Sequence, residues 1–172
     1  MDIQKKLFIH SVELLSRRPY HSAELRIKLA KKAEKLQENL ADLSEDGELS
    51  EEPPPISDQI EAVISKLLEY RYIDDQEYLK AYIENQQRTK PQGALLIKQK
   101  LRQKGIPTEQ FENVLKQDQS EQIELAKVAL QKKLRTLQAK NQRQKKEKAF
   151  RFLQSRGFSA TAILRAMETS EL

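Results

Sequence analysis

Two stretches of this chain, 52 residues apart, repeat one pattern. Residues 101–106 and 153–158 both read leucine, two variable residues, a basic residue, glycine and an apolar residue. The leucines are Leu101 and Leu153, and the glycines are Gly105 and Gly157. A glycine just after the last turn of a helix is typical of a left-handed C-terminal cap. The pattern therefore predicts two equivalent helix ends, and with them an internally repeated helical fold.

Apolar residues recur along the rest of the chain at the three- and four-residue spacing of amphipathic helices. Nine such stretches are present, and none alternates apolar and polar residues as a strand would. We therefore predict an all-α fold of three tandem three-helix repeats, residues 1–73, 74–117 and 118–172. Because a unit of this size buries little surface alone, the repeats should stack in series into an elongated, curved molecule.

The first predicted repeat is interrupted by an acidic segment near residues 39–55. It contains a run of acidic and turn-forming residues from Ser44 to Glu52, followed by three prolines, and has almost no apolar side chains. A segment of this composition cannot bury enough surface to fold by itself. We expect it to be a mobile loop.

The charge is distributed very unevenly along the sequence. Residues 1–85 contain 12 Lys/Arg and 18 Asp/Glu, a net charge of −6, whereas residues 86–156 contain 18 and 6, a net charge of +12. A positive potential of this size attracts phosphate backbones and acidic protein grooves. The second half of the chain is therefore predicted to bind a polyanion, although a run of lysines is also compatible with a solvated helix face.

The candidate contact residues fall into three groups. They do not all share one helical face, so some of them are expected to be solubilising charges only. A small group near the N-terminus comprises Arg17 and Arg18. The group in the second repeat comprises Arg88, Lys90, Lys98, Lys100, Arg102 and Lys104, and the group in the third comprises Lys132, Lys133, Arg135, Arg143, Lys145, Lys146, Lys148 and Arg151.

Several classes of function lack their sequence signals. The absence of cysteine excludes disulfides and thiolate metal sites and favours a reducing compartment. No signal peptide and no apolar run of about 18 residues is present, so we expect a cytoplasmic protein that does not span a membrane. A phosphate-binding glycine loop is missing, and His10 and His21 lack metal-site spacing. We expect no metal, no cofactor and no enzymatic activity.

The adjacent carboxylates Asp74 and Asp75 allow one catalytic alternative. Two acids could hold Mg²⁺ in a metal-dependent nuclease. However, both lie where a helix is predicted to begin, and Asp74 with Glu77 has the spacing of a capping box. Capping and a favourable interaction with the helix dipole explain the pair more simply.

The five tyrosines suggest a second way of contacting nucleic acid, because aromatic rings can stack on bases. Helical spacing favours packing instead, and we expect Tyr72 and Tyr82 to be mostly buried. The other three tyrosines are Tyr20, Tyr70 and Tyr78.

Three blocks of the sequence resemble a known family. The turn Tyr72-Ile73-Asp74-Asp75 and the aromatic helix after it resemble the signature of the RecX regulators of the bacterial recombinase RecA. The block from Arg88 to Gly93, together with Lys104-Gly105-Ile106, and the opening motif at residues 15–29 are similar to further family motifs. The resemblance covers most of residues 7–116. Arg71 departs from the pattern, since a glycine is common there, and the acidic segment is longer than usual.

The resemblance implies a fold and a function. RecX proteins are tandem three-helix-repeat proteins without enzymatic activity. They bind in the helical groove of RecA–single-stranded DNA filaments, restrain RecA's ATPase, strand-exchange and co-protease activities, and promote filament disassembly. They are cytoplasmic and act in recombination, DNA repair and the SOS response.

A helical DNA-binding protein, sequence-specific or non-specific, is the main alternative, because three-helix units resemble helix-turn-helix folds. Sequence-specific binding would require one exposed recognition helix and a two-fold dimer surface. The basic residues are instead spread over several predicted helices, and no dimerisation segment is evident. We therefore expect a monomer.

Overall fold

The computed structural model describes residues 3–41, 54–115 and 119–170. Within these ranges the chain contains nine α-helices and no strand, which confirms the all-α prediction. The helices are α1 (Ile3–Leu15), α2 (Ser22–Ala41), α3 (Ile56–Glu69), α4 (Asp75–Thr89), α5 (Ala94–Gln103), α6 (Thr108–Glu112), α7 (Gln119–Leu134), α8 (Gln142–Ser155) and α9 (Ala160–Glu168). Residues 42–53, most of the predicted acidic segment, lie outside the described residues.

The helices group into two compact units, Met1–Tyr78 and Leu79–Leu172. The predicted repeat boundaries after residues 73 and 117 remain predictions, as does the elongated, curved shape. Among the described residues, no helix is both long enough and apolar enough to cross a membrane.

The first unit is built around the apolar faces of its first three helices. Leu7 of α1, Leu25 and Leu29 of α2, and Val63 and Leu67 of α3 are fully buried in one cluster. Leu25 and Leu29 share one face of α2 by their four-residue spacing, and Val63 and Leu67 share one face of α3. Burial of each such side chain stabilises the fold by about 1.5–3 kcal/mol.

The second unit contains a cluster of buried residues from α7, α8 and α9. Leu130, Leu153 and Ile163 are its largest fully buried side chains. The turn after α5 and the short helix α6 add further buried residues, among them Ile106 and Phe111. The short helix α6 ends at Glu112.

Left-handed residues end three of the helices. Gly105 and Gly157 have φ angles of 77° and 78°, as the repeated pattern predicts. The third is Arg71, with φ of 55°, at the position where glycine is common in the family that the sequence resembles. In each case the next residue donates its N–H to the carbonyl of a leucine five residues earlier; for Tyr72 and Leu67 that distance is 2.9 Å.

The N-terminus of α5 is closed by groups from the predicted third repeat. Gly93 donates its N–H to the carbonyl of Arg156 at 2.8 Å, and Leu95 donates to that of Gly157 at 3.2 Å. The N–H of Ala94 is bound by the side-chain oxygen of Gln122 at 3.0 Å. These bonds satisfy N–H groups that a helix cannot pair internally at its start.

Glycine is required on both sides of this contact. A Cβ atom on Gly93 would lie 2.2 Å from the carbonyl oxygen of Gly157, and one on Gly157 would lie 2.3 Å from the backbone nitrogen of Leu96. Both distances are far below van der Waals contact, and both involve backbone atoms that cannot move independently. We call this contact the glycine joint.

Substituting Gly93 by Ala should therefore destabilise the second unit. We expect a loss of about 1–3 kcal/mol in the free energy of unfolding, the usual cost of forcing extra atoms into a packed site. Urea unfolding followed by circular dichroism measures it. Leu95→Ala is the matched control, because Leu95 is in the same turn but mostly exposed; equal effects of the two substitutions would contradict the proposed role of the joint.

Candidate basic binding surface

The adjacent carboxylates of Asp74 and Asp75 bind different backbone groups. Asp74 Oδ1 accepts the N–H of Glu77 at 2.9 Å, as expected for a helix cap. Asp75 accepts the N–H of Ser22 at 2.7 Å and the Ser22 hydroxyl at 2.6 Å. No group of three or more potential metal-ligating side chains is present in the described ranges. The pair therefore stabilises the starts of α4 and α2.

His21 is completely buried beside Asp75. Its Nδ1 accepts the N–H of Ala23 at 3.1 Å, so the neutral ring has its proton on Nε2, which has no partner among the described residues. The ring packs edge-on against Tyr78 at 5.7 Å between centroids. Burial lowers the pKa of His21, and the charge of Asp75, which raises it, compensates only in part.

We call the cationic side chains of the second unit, from Arg88 to Arg156, its basic surface, and Lys100 is one of them. Its ammonium donates to the side-chain oxygens of Gln92 at 2.8 Å and Gln86 at 3.0 Å. Burial lowers the pKa of Lys100, and the neighbouring cations Arg156 and Lys90 lower it further. The fold thus brings three positive groups from separate parts of the sequence close together, although they repel one another.

Among the other predicted contacts of the second repeat, some side chains interact with neighbouring residues of the protein and others do not. The guanidinium of Arg102 donates to the Thr108 hydroxyl at 3.3 Å, and the ammonium of Lys104 lies 5.6 Å from the ring centre of Tyr82. The side chains of Arg88 and Lys98 make no hydrogen bond or ion pair with any described residue. These last two are the more available to an external anion.

The predicted contacts around the start of α8 are largely free. The side chains of Arg143, Lys145 and Lys146 have no hydrogen-bond or ion-pair partner in the described part of the chain, and the same holds for Lys132 and Arg135. The first turn of α8 contains no acidic residue. Because cations at a helix N-terminus are unfavourable, the charges of Arg143 and Lys145 do not stabilise α8 itself.

Three further predicted contacts of the third repeat surround a cavity of about 450 Å³, which is lined among others by Lys133, Lys148, Arg151 and Phe152. Lys148 donates to the carbonyl of Gln138 at 2.9 Å, which ties α8 to the loop before it. The guanidinium of Arg151 pairs with Glu147 at 2.5 Å on the exposed face of α8, and the ammonium of Lys133 lies 5.4 Å from the ring centre of Phe152.

The two predicted N-terminal contacts have different environments. Arg18 pairs with Glu24 at 2.5 Å and stacks over the Tyr20 ring at 3.7 Å, so its guanidinium is occupied. The side chain of Arg17 is exposed and has no partner among the described residues.

Arg156 is a member of the basic surface that sequence reasoning missed. It occupies the basic position of the repeated pattern, one residue before Gly157, and was interpreted only as part of the helix end. Its equivalent, Lys104, was among the predicted contacts. The repeated pattern, which places Arg156 at the same position as Lys104, was therefore the signal that could have identified Arg156.

Comparison with known proteins decides the family. A family model of the second three-helix domain of RecX matches residues 74–115, and a model of the third three-helix domain matches residues 120–167, together more than half of the chain. This chain belongs to the RecX family.

Three relatives named regulatory protein RecX are similar to this chain over most of their length. The chain is 34% identical to that of Vibrio parahaemolyticus over 91% of this chain and 86% of the relative. It is 32% identical to that of Chlorobaculum tepidum, over 90% and 81%, and 32% identical to that of Neisseria meningitidis, over 98% and 93%.

Two solved RecX structures share the fold. A crystal structure of regulatory protein RecX superposes with a TM-score of 0.72 at 24% identity, over 97% of this chain and 74% of that one. The crystal structure of RecX from Lactobacillus salivarius gives a TM-score of 0.70 at 22% identity, over 98% and 96%. The helical repeat fold expected from the RecX resemblance is confirmed.

The buried His21 gives this RecX protein a pH-dependent stability. Because its pKa is lowered in the folded state, the unfolded chain binds more protons below about pH 6.5, the ordinary value for histidine. The free energy of unfolding should therefore fall as the pH drops from about 7 to about 5.5, by at most about 1.4 kcal/mol per pH unit.

The variant His21→Phe is the matched control, because it retains an aromatic ring beside Tyr78 and cannot titrate. Urea unfolding measured across this pH range should give a flat profile for the variant and a sloping one for the wild type. Parallel profiles for the two proteins would contradict the assignment.

Proposed function

We propose that this RecX protein binds in the helical groove of RecA–single-stranded DNA filaments and mainly inhibits RecA. The inhibited activities are its ATPase, strand exchange and co-protease functions. The contacts are made by the basic surface of the second unit, and the protein acts as a monomer in the cytoplasm. RecA is proposed as the partner because the chain belongs to the RecX family, and the cations of this chain are proposed to make the contacts.

The observation that supports this most directly is the crowding of Lys90, Lys100 and Arg156. Burial is the main cause that lowers the pKa of Lys100, and the charges of Arg156 and Lys90 lower it further, so the three cations repel one another in the free protein. A bound phosphate or carboxylate would remove that repulsion and add charge-assisted hydrogen bonds. The free cations around α8 add further positive groups to the same unit, so that several weak contacts can add along a filament.

Binding in the groove explains inhibition without a catalytic residue. A protein lying there occupies the path of the incoming duplex and so competes with strand exchange. If it contacts neighbouring RecA protomers, it also favours one arrangement of them and opposes the movements that ATP turnover needs. Both effects depend only on where the protein binds.

The direct test is RecA's rate of ATP hydrolysis on single-stranded DNA, measured with substoichiometric amounts of this protein. The proposal predicts a lower rate. An unchanged rate, together with no co-sedimentation of the protein with filaments, would refute it. Equally tight binding to naked duplex DNA, with no effect on RecA, would favour the DNA-binding alternative.

The double variant Lys145→Glu/Lys146→Glu should weaken filament binding by roughly tenfold or more, because it replaces two free cations by anions. If both lysines contact phosphates of the single strand, the slope of log K against log salt should fall by about 1.4. Fluorescence anisotropy with labelled filaments at several salt concentrations measures both quantities.

Lys145 lies at the end of the first turn of α8 and Lys146 directly after it. Glutamate is favourable near a helix N-terminus, so unfolding would not explain a loss of binding. The control Lys31→Glu/Lys35→Glu makes the same charge change on exposed, unpaired positions of α2 and should bind nearly as the wild type does. Equal losses for the two double variants would mean that only net charge matters, contrary to the proposed surface.

A further inference from the structure

The first unit has a pocket of about 320 Å³ between α1 and α3. This volume lies at the lower end of the range for small-molecule sites, roughly 300–1,000 Å³. The pocket is lined by Gln4, Lys5, Phe8, Val63, Lys66 and Tyr70. Aromatic rings and basic side chains therefore meet at one place, in the half of the chain whose net charge is negative.

The tyrosines at the end of α3 are exposed, contrary to the expectation that they pack. Tyr70 is 61% exposed and Tyr72 is 53% exposed. The left-handed Arg71 turns the chain between them, and Ile73 fills the core position instead. Tyr72 meets the Phe8 ring edge-on, with centroids 6.4 Å apart. Phe8 is thus the contact between Tyr72 and the pocket.

Two cations accompany these rings. Lys66 lies in the last turn of α3, four residues before Tyr70, which follows that helix. Lys5 lies in α1, about one turn before Phe8. Neither ammonium forms a hydrogen bond or ion pair with a described residue. Single exposed apolar residues are common on protein surfaces, but three aromatic rings with two unpaired lysines form a more specific arrangement.

We infer that this pocket binds single-stranded nucleic acid: a base stacks on Tyr70, and the flanking phosphates contact Lys5 and Lys66. Aromatic platforms combined with lysines are the means by which proteins bind single strands, since every base has a π face and every linkage a charge. The site should therefore have little sequence preference. A duplex would bind weakly, because its bases are already stacked on one another.

The charges favour this ligand over an apolar peptide. A peptide side chain could cover the rings but would leave both ammonium groups without a counter-charge, whereas a nucleotide supplies the ring and the phosphate together. The inference does not depend on the proposed function, because it concerns naked single strands and requires no RecA. If both are correct, the pocket provides a second contact with the filament's DNA.

A tryptophan placed in the pocket reports on stacking directly, because the natural chain has no tryptophan. In the full-length Tyr70→Trp variant, titration with a single-stranded thymidine oligonucleotide should quench the indole emission. An abasic oligonucleotide of equal length, which has the phosphates without the bases, should cause little quenching. Equal quenching by the two, or none by a thymidine strand that anisotropy shows to be bound, would overturn the inference.

Affinity provides the second test, in the Lys145→Glu/Lys146→Glu background so that binding to the second unit does not mask the effect. Tyr70→Ala should weaken binding of the thymidine strand about 5- to 150-fold, the range for loss of one stacked base. Tyr70→Phe retains the ring and should bind within about twofold of the parent. Leu68→Ala changes an exposed residue at the same helix end that does not line the pocket, and should also bind like the parent.

A different result would assign the pocket to a protein partner. If Tyr70→Ala leaves the affinity for naked strands unchanged but weakens binding to RecA filaments, the pocket contacts RecA and the inference is wrong. Because the oligonucleotide experiments contain no RecA, failure of the proposed RecA function cannot be mistaken for failure of this site.

Discussion

Helices α2 and α5 each start with N–H groups that the helix itself cannot pair, and in this chain groups distant in the sequence pair them. The start of α5 is bound at the glycine joint, where Gly93 meets Gly157, and the start of α2 is bound by the carboxylate of Asp75 through Ser22. Since an unpaired buried N–H costs about 1–3 kcal/mol, the starts of α2 and α5 both depend on residues that lie far along the sequence. The glycine joint also brings two backbones closer than any side chain would permit.

The same joint concentrates positive charge. It holds the end of α8 against the start of α5, and this places Arg156 beside Lys90 and Lys100. The folded chain therefore keeps three cations close together although they repel one another. A surface of this kind gains more from an anionic partner than a set of separate lysines would, because binding relieves repulsion as well as adding attraction.

Local sequence signals predicted the local structure correctly. Helical spacing identified the nine helices of the described ranges, and the repeated Leu-x-x-basic-Gly pattern identified the caps at Gly105 and Gly157. Both signals depend only on a few neighbouring residues. The bond between Ser22 and Asp75 joins residues 53 positions apart, and no local pattern reports it. Tyr72 was wrongly expected to be buried, since spacing cannot show which residue after a left-handed turn returns to the core. Tyr72 contacts Phe8, which lines the pocket of the first unit together with Tyr70.

In the proposed function, the second unit's basic surface lies against a RecA–single-stranded DNA filament. Amine-reactive labelling of the full-length protein, read by mass spectrometry with and without filaments, tests it residue by residue. The account predicts that filaments protect the free lysines of that surface and leave exposed lysines of α2 reactive. The protected set comprises Lys90, Lys98, Lys132, Lys145 and Lys146, and the unprotected set comprises Lys31 and Lys35. Protection of both sets to the same degree, or of neither, would contradict the account.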